Sequence, residues 1–291
     1  MSSDVLELLR AAGGYISGEK MAERLGVTRA AVWKKIAALR DAGYDISSAP
    51  RSGYVLRSAP DRLIETEISQ DLQTALVGQK IICYDMVDST NLVLKNLARE
   101  GAEDGTVVVA DSQGTGRGRM ERAFFSPPGK GIWVSILLRP TFLPQDAPKC
   151  TLMAAVAVAR AMEQFGLRAG IKWPNDILHE GRKLVGILTE MSAEMDRVNY
   201  VVIGIGINVN IAPEDFPEEL RTIATSLMQM KGAPLPRVAF LQELLRALDE
   251  LYASVQREGF APVLAAWREY AVTLGQEVRV IGPAGEEFEG V

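Results

Sequence analysis

The chain is poor in residues that bind metals or carry redox chemistry. It has two cysteines, Cys83 and Cys150, far apart, and a single histidine, His179. A disulfide framework and a structural zinc site both need several such residues at short spacing, so neither organises this protein. The two thiols read as small buried side chains. His179 sits in the polar run His179-Glu180-Gly181-Arg182-Lys183 and reads as a surface residue. Long apolar runs are also missing. The longest, near Leu152 to Ala159, stops at Arg160, far short of the roughly 20 residues needed to cross a bilayer. The N-terminus, MSSDVLELLR, has Asp4 and no basic stretch ahead of an apolar core, unlike a secretory leader. A soluble cytoplasmic protein with no membrane partner is the expectation. A basic excess is absent too: 32 Lys+Arg stand against 37 Asp+Glu, a net charge of −5, which excludes a chain-wide basic nucleic-acid binder.

What remains is ordinary globular material. Hydrophobic residues make up 47% and charged residues 24%, enough for a real core and against disorder or a coiled-coil rod. A length of 291 residues predicts two or three domains.

Residues 1–60 are read first. Val5, Leu6, Leu8 and Leu9 predict a short amphipathic helix ending at Gly13-Gly14. A second helix fits Glu19 to Leu25 and stops at Gly26, suited to a left-handed turn. Thr28 is an N-cap for a third helix to about Ala42, with Val32, Ile36 and Leu39 as its buried stripe. Arg29, Trp33 and Lys34 lie on the opposite side. Tyr44-Asp45-Ile46 and Gly53-Tyr54-Val55-Leu56 read as two short strands, a wing with Arg51 at its tip. This is a winged helix-turn-helix, whose last helix enters the major groove near Thr28 and Arg29. A small helical protein-interaction module has the same helix pattern, and charge decides between them. Residues 1–60 hold 9 basic and 6 acidic residues, net +3, while the rest hold 23 and 31, net −8. A positive head on an acidic body favours DNA. Ser58-Ala59-Pro60-Asp61 is a short polar link, and the domain boundary is expected there.

From about Leu63 the pattern is mixed α and β. A helix is expected over Ile64 to Leu76 and a strand over Lys80 to Tyr84. Ser89-Thr90 caps a helix to about Arg99. Strands follow at Thr106–Ala110 (TVVVA) and Ile132–Leu138 (IWVSILL), a long apolar helix at Thr151–Phe165, and strands at Leu184–Glu190 and Tyr200–Asn208. Helix resumes over Arg237–Arg257. The TVVVA strand is followed by Gln113-Gly114-Thr115-Gly116-Arg117-Gly118-Arg119, then Arg122. Alternating glycines let backbone approach a ligand closely, and the arginines suit phosphate or carboxylate. The order is not that of a Walker loop. Gly204-Ile205-Gly206-Ile207-Asn208 is not a dinucleotide fingerprint, because its glycines lie inside a strand; such glycines mark close approach to a sheet face. Lys172-Trp173-Pro174-Asn175-Asp176 gathers a cation, an aromatic face, an amide and a carboxylate. Lys183 stands at the mouth of an apolar strand, either pointing into a site or solvated.

Ser89-Thr90-Asn91, the GRGR loop with Gln113 ahead of it, KWPND, RKLVGIL and IGIGIN, in this order, resemble the biotin protein ligase family. With a helix-turn-helix head, the chain is similar to its bifunctional ligase/repressor members, over nearly its whole length. The expected fold class is therefore α+β: an N-terminal winged helix-turn-helix at 1–60, a central mixed α/β biotin/lipoate-ligase-like domain at 63–270, and the start of a small C-terminal SH3-like β-barrel at 271–291. That last part reads as strands Glu277–Ile281 and Glu287–Glu289 around a Gly-Pro-Ala-Gly turn; it stops before a closed barrel, as an incomplete or truncated domain.

The resemblance implies ATP-dependent formation of biotinyl-5′-AMP and transfer of biotin to a lysine of a biotin carboxyl carrier protein of acetyl-CoA carboxylase. Biotin and ATP are the substrates and Mg²⁺ the cofactor. It implies that Ser89, Thr90, Asn91 and Gln113 meet biotin, that Gly116, Arg117, Gly118 and Arg119 close over it and its adenylate, and that Lys183 contacts the carboxylate and α-phosphate. Lys183, Arg117 and Arg119 are then the catalytic residues, since all three relieve anion–anion repulsion in the transition state. Arg122, Trp173, Asn175, Asp176, Gly186 and Asn208 are implied on the ATP and adenylate side, with Asp176 the candidate for Mg²⁺. Neither step needs a Cys/His or Ser/His pair. Thr28, Arg29, Trp33, Lys34 and Arg51 are the DNA-binding candidates, operator DNA the nucleic-acid partner, and a homodimer is expected with adenylate bound. The loop departs from the family at Met120-Glu121-Arg122-Ala123-Phe124-Phe125, where members continue with further glycine and a tryptophan. The alternative is a biotin-responsive repressor without ligase activity. A lipoate or octanoate ligase shares the fold, and the GRGR loop argues against it.

Overall fold

The computed structural model describes residues 3–116, 123–282 and 285–291. The chain divides into two compact units, Met1–Arg62 and Leu63–Val291.

The first unit contains α1 (Ser3–Ala12), α2 (Gly18–Leu25), α3 (Arg29–Asp41), β1 (Asp45–Ala49) and β2 (Gly53–Ser58). Ser17 caps α2, its hydroxyl accepting from Lys20 N at 3.1 Å. Gly26 ends α2 in the left-handed region, φ 64°, and lets the chain turn at once into α3. Thr28 caps α3, accepting from Ala31 N at 3.2 Å. Val32, Ile36 and Leu39 are buried against Val5, Leu9 and Met21 in one small core. β1 and β2 pair antiparallel, Ala49↔Gly53 closing the turn. Gly53 is required there: at φ 98°, a Cβ would collide with the Ile16 backbone. The unit is a winged helix-turn-helix.

The second unit begins with a difference from the sequence pattern. In place of a helix over Ile64–Leu76 there is one turn, α4 (Glu65–Ile68), followed by bends. The backbone is satisfied from elsewhere. The Gln242 amide donates to the carbonyls of Glu67, Ile68 and Gln70, and the Asp249 carboxylate accepts from Ala75, Leu76 and Val77 N–H. These tertiary partners replace helical hydrogen bonds, and propensity yields.

Then come β3 (Ile81–Val87), α5 (Thr90–Arg99), β4 (Val107–Gln113), β5 (Gly131–Leu138), α6 (Lys149–Gln164), β6 (Gly170–Lys172), β7 (Asp176–His179), β8 (Arg182–Ala193) and β9 (Val198–Asn208). α7 (Leu227–Lys231), α8 (Arg237–Glu258) and α9 (Ala261–Tyr270) follow, then β10 (Val278–Ile281) and β11 (Glu287–Gly290). The β6–β7 strands and α9 do not stand out in the sequence pattern; KWPND is the link of the β6–β7 pair. A seven-stranded sheet has the order β3-β4-β5-β9-β8-β7-β6, parallel only between β3 and β4. β10 and β11 form a separate two-stranded antiparallel sheet.

The period of 2 in each strand sorts its side chains between two faces. Ile132, Val134 and Ile136 of β5, Val185 and Ile187 of β8, and Ile203, Ile205 and Ile207 of β9 join the main core with α6, α8 and α9. The alternate positions, Trp133 and Ser135, Gly186, and Gly204 and Gly206, face the other way, toward the side that α5 partly covers. Leu137 and Val202 pack there with Leu94 and Ala98 of α5. IGIGIN thus places isoleucine in the core and bare backbone on the opposite face. Among the described residues, no helix is long and apolar enough to cross a membrane.

Candidate functional site

The glycine-floored face carries a continuous line of polar and aromatic side chains. At one end, Ser89, Thr90 and Asn91 open α5 and are each 4% exposed. Ser89 stands at the N-cap, but its hydroxyl makes no capping hydrogen bond. Thr90 N–H donates to Gln113 Oε1 at 3.0 Å, joining α5 to the end of β4. Ser135 Oγ, fully buried on β5, lies 2.7 Å from Thr90 Oγ1 and 2.6 Å from Asn91 Oδ1. The Asn91 amide donates to Glu190 Oε2 at 2.9 Å and Leu188 O at 3.2 Å. Lys95 closes this group with an ion pair to Glu190 at 2.6 Å. Gly204 must be glycine, because a Cβ there would collide with the Asn91 carboxamide.

The line continues through the far end of the GRGR loop. Gln113 Nε2 donates to Ser126 Oγ at 3.0 Å, and Ser126 Oγ donates to Phe124 O at 3.0 Å. Phe124 N–H donates to Gly116 O at 2.7 Å, so the two described ends of the loop meet. A Cβ on Gly116 would collide with the Phe124 carbonyl. The Phe124 ring lies over Gly186 and Gly206, within 2.7 and 2.8 Å of where their Cβ atoms would be. It meets Trp133 edge-on, centroids 5.9 Å apart, and Trp133 Nε1 donates to Asp111 O at 3.1 Å. Arg117, Gly118, Arg119 and Arg122 lie outside the described residues.

Lys183 ends the line. Its ammonium is 5.7 Å from the Phe124 ring centroid and 2.7 Å from Asp176 Oδ1 across the β7–β8 pair. That contact is an ion pair without the alignment of a hydrogen bond, and Asp176 Oδ1 is buried with no hydrogen-bond partner. Backbone bonds Lys183 N to Ile223 O and Thr225 N to Lys183 O seat residues 223–225 beside it. Asn208 Nδ2 donates to Thr225 O at 3.0 Å, while its buried Oδ1 has no partner. Asn175 reads differently in place: its side-chain amide donates to Ile187 O at 3.0 Å and its backbone carbonyl accepts from Ile187 N, so it ties the KWPND turn to β8. Trp173 is 52% exposed.

The structure thus brings together Ser89, Thr90, Asn91, Gln113 and Gly116 at one end, and Asp176, Lys183, Gly186 and Asn208 at the other. Phe124, Ser126, Trp133, Ser135, Glu190 and Thr225 complete the line and do not stand out by motif. A polar residue at an alternate position of an otherwise apolar strand, as in IWVSILL, was the available signal for Ser135. Burial pushes both cysteine thiols up to about 12, so neither is a thiolate nucleophile at neutral pH. No group of three or more His, Cys, Asp or Glu that could cage a metal exists among the described residues. Chemically, the arrangement offers a buried cluster of hydrogen-bonding groups at one end of the line and a lysine for an anion at the other.

In the first unit, Thr28, Arg29, Trp33, Lys34 and Arg51 are all exposed, Trp33 at 59%. Arg51 sits at the wing turn with φ 64°.

Comparison with known proteins agrees with this division. Residues 83–208 match the Biotin/lipoate A/B protein ligase family, and residues 2–55 match an HTH domain. The chain is 46% identical over 281 residues to the bifunctional ligase/repressor BirA of Bacillus subtilis (strain 168), covering 96% of this chain and 86% of that protein. It is 32% identical over 243 residues to the biotin--[acetyl-CoA-carboxylase] ligase of Mycobacterium tuberculosis, covering 79% of this chain and 87% of that one. Among solved structures, the biotin protein ligase from Aquifex aeolicus in complex with biotin and ATP superposes with a TM-score of 0.64 at 30% identity, covering 73% of this chain and 86% of that one.

Proposed function

The chain belongs to the biotin/lipoate A/B protein ligase family, and from that premise we propose that it is a bifunctional biotin ligase and transcriptional repressor. It activates biotin with ATP, transfers it to a lysine of the acetyl-CoA carboxylase carrier protein, and binds operator DNA through the head. The observation that carries this reading is the line from the Thr90–Asn91–Gln113 pocket, across Gly186, Gly204 and Gly206, to Lys183.

In the first step a biotin carboxylate oxygen attacks the α-phosphorus of ATP; the α–β bridging P–O bond breaks and pyrophosphate leaves. Both reactants are anionic. Lys183 is the group to offset the charge that accumulates on the α-phosphate oxygens, and Arg117 and Arg119 of the loop are proposed to share that role. Ser89, Thr90, Asn91, Gln113, Gly116 and Gly118 are the proposed biotin contacts. Gly186, Asn208, Asp176, Asn175, Trp173 and Arg122 are proposed for the adenylate side, with Asn175 acting by holding its turn against β8. In the second step an unprotonated carrier lysine attacks the acyl carbon, the acyl–phosphate C–O bond breaks, AMP leaves, and the amine proton passes to solvent. No covalent enzyme intermediate is needed.

Asp176 Oδ1 is buried and faces the Lys183 ammonium at 2.7 Å, so it would be a single protein ligand for Mg²⁺ only with Lys183 turned to the substrate anion, waters and phosphates supplying the other ligands that this ion keeps. When bound, Mg²⁺ would neutralise the leaving pyrophosphate. Homodimerisation with adenylate bound is proposed with it. Among the described residues, β8 pairs with β7 only over Arg182–Gly186, and from Thr189 onward it has a strand, β9, on one side alone. Such an edge is a template for a second copy. A cytoplasmic location accords with this partner set.

The deciding assay mixes protein, labelled biotin, Mg-ATP and a biotin-carrier domain, and follows label on the carrier. Transfer is expected. Tight biotin binding without transfer would leave a biotin-responsive repressor in place of a ligase.

A further inference from the structure

The hydrogens in the buried polar group behind Thr90 can be placed by elimination. Lys95 and Glu190 form an ion pair at 2.6 Å, so Glu190 is a carboxylate and only accepts. Asn91 turns its side-chain nitrogen to Glu190 Oε2 and Leu188 O, both pure acceptors. That fixes the orientation of its amide and leaves Oδ1 facing Ser135 Oγ at 2.6 Å. Asn91 Oδ1 cannot donate, so the one hydroxyl proton of Ser135 goes to it. Thr90 Oγ1 lies 2.7 Å from Ser135 Oγ, which has no proton left to give. Thr90 must therefore donate to Ser135. The competing acceptor, Gln113 Oε1, is farther at 3.2 Å and already takes the Thr90 backbone N–H. With its proton on Ser135, the Thr90 hydroxyl has only lone pairs left to offer a ligand.

We infer that Glu190 and Ser135 are specificity-determining positioning residues: with Asn91 they form a one-way hydrogen-bond relay that holds Thr90 as an acceptor and selects a ligand with a ring N–H there. The inference rests on biotin being the ligand, whose ureido ring supplies such a group. A ligand presenting a ring oxygen at that place meets lone pair against lone pair, and the buried relay cannot reverse without leaving the Asn91 carbonyl unpaired. A lipoyl or octanoyl chain has nothing to offer the acceptor.

The test uses the full chain and three probes in binding titrations: biotin and the two cyclic carbamate isosteres in which one or the other ureido N–H is replaced by O. In the wild type, one isostere is expected to bind at least about 100-fold more weakly than biotin. In Ser135→Ala, the Thr90 hydroxyl is free to turn. Biotin should weaken by about 10-fold while that isostere holds or improves, compressing the ratio by about 10-fold or more. The ratio for the other isostere should stay as in the wild type. Glu190→Ala removes one of the two acceptors that orient Asn91 and should compress the same ratio by a smaller factor than Ser135→Ala, because Leu188 O still favours the original orientation. A purely structural role would weaken all three probes alike. Equal weakening, or an unchanged ratio in Ser135→Ala with its melting temperature retained, overturns the relay. A wild-type protein that binds no biotin overturns the proposed function itself and the relay with it.

Discussion

Lys183 and Asp176 hold opposite charges 2.7 Å apart at the end of a glycine floor, and this pair is where substrate anions must compete. Lys183→Ala removes the cation and leaves the Asp176 carboxylate behind. Adenylate formation should fall by about 10²–10³-fold, the range for one lost transition-state charge contact, measured by biotin-dependent pyrophosphate release. Transfer from chemically made biotinyl-5′-AMP should survive to a much greater degree; equal loss of both steps would refute an activation role. Gly204 makes a second prediction. Its missing side chain is filled by the Asn91 carboxamide, so Gly204→Ala must displace a group that buries its oxygen against Ser135. Overpacking of this kind costs about 1–3 kcal/mol, readable in urea unfolding, and biotin affinity should drop with it. Unchanged affinity would place the ligand away from Asn91.

At the element scale, the strand alternation explains why one face of the sheet is a core and the other a site. IGIGIN carries that assignment in its spelling, since glycines inside a strand mark a close approach to one sheet face. The segment Ile64–Leu76 is not legible in this way. It carries apolar residues at helical spacing, yet Gln242 and Asp249 of α8, more than 170 residues on, take its backbone groups. Asp249→Ala would strand the N–H groups of Ala75, Leu76 and Val77, with Leu76 half-buried and Val77 fully buried. A loss of about 2–3 kcal/mol is expected in equilibrium unfolding. A loss below about 0.5 kcal/mol would mean that water replaces the carboxylate freely. Ser135 shows only as one polar letter in an apolar strand and Glu190 as one of several polar residues late in β8, and only the approach of α5 gives each its partner.

At the scale of the whole molecule, a net charge of −5 conceals a head of +3 on a body of −8. The cut between the two compact units falls after Arg62, so removing residues 1–62 should abolish operator binding and leave carrier biotinylation within about 2-fold. Gel-shift and carrier-labelling assays on the same preparation check both halves. Retained DNA binding would refute the assignment of the head. Within the full chain, Arg51→Ala should reduce the salt dependence of DNA binding by about one phosphate contact.

Local and periodic features are written in the chain itself: the helix-turn-helix with its turn at Gly26 and its cap at Thr28, the period of 2 in the strands, the glycine floor and the lysine at its mouth. These follow from backbone stereochemistry and nearest-neighbour patterning, which act within a few residues. Tertiary structure decided what depends on groups far apart in the chain. It set the single helical turn where a longer helix was expected, and the meeting of Gly116 with Phe124. It also set the pairing of Asp176 with Lys183, and the relay from Lys95 through Glu190, Asn91 and Ser135 to Thr90. A buried polar group takes whichever partner the fold brings within about 3 Å, and nothing in its own neighbourhood of sequence names that partner.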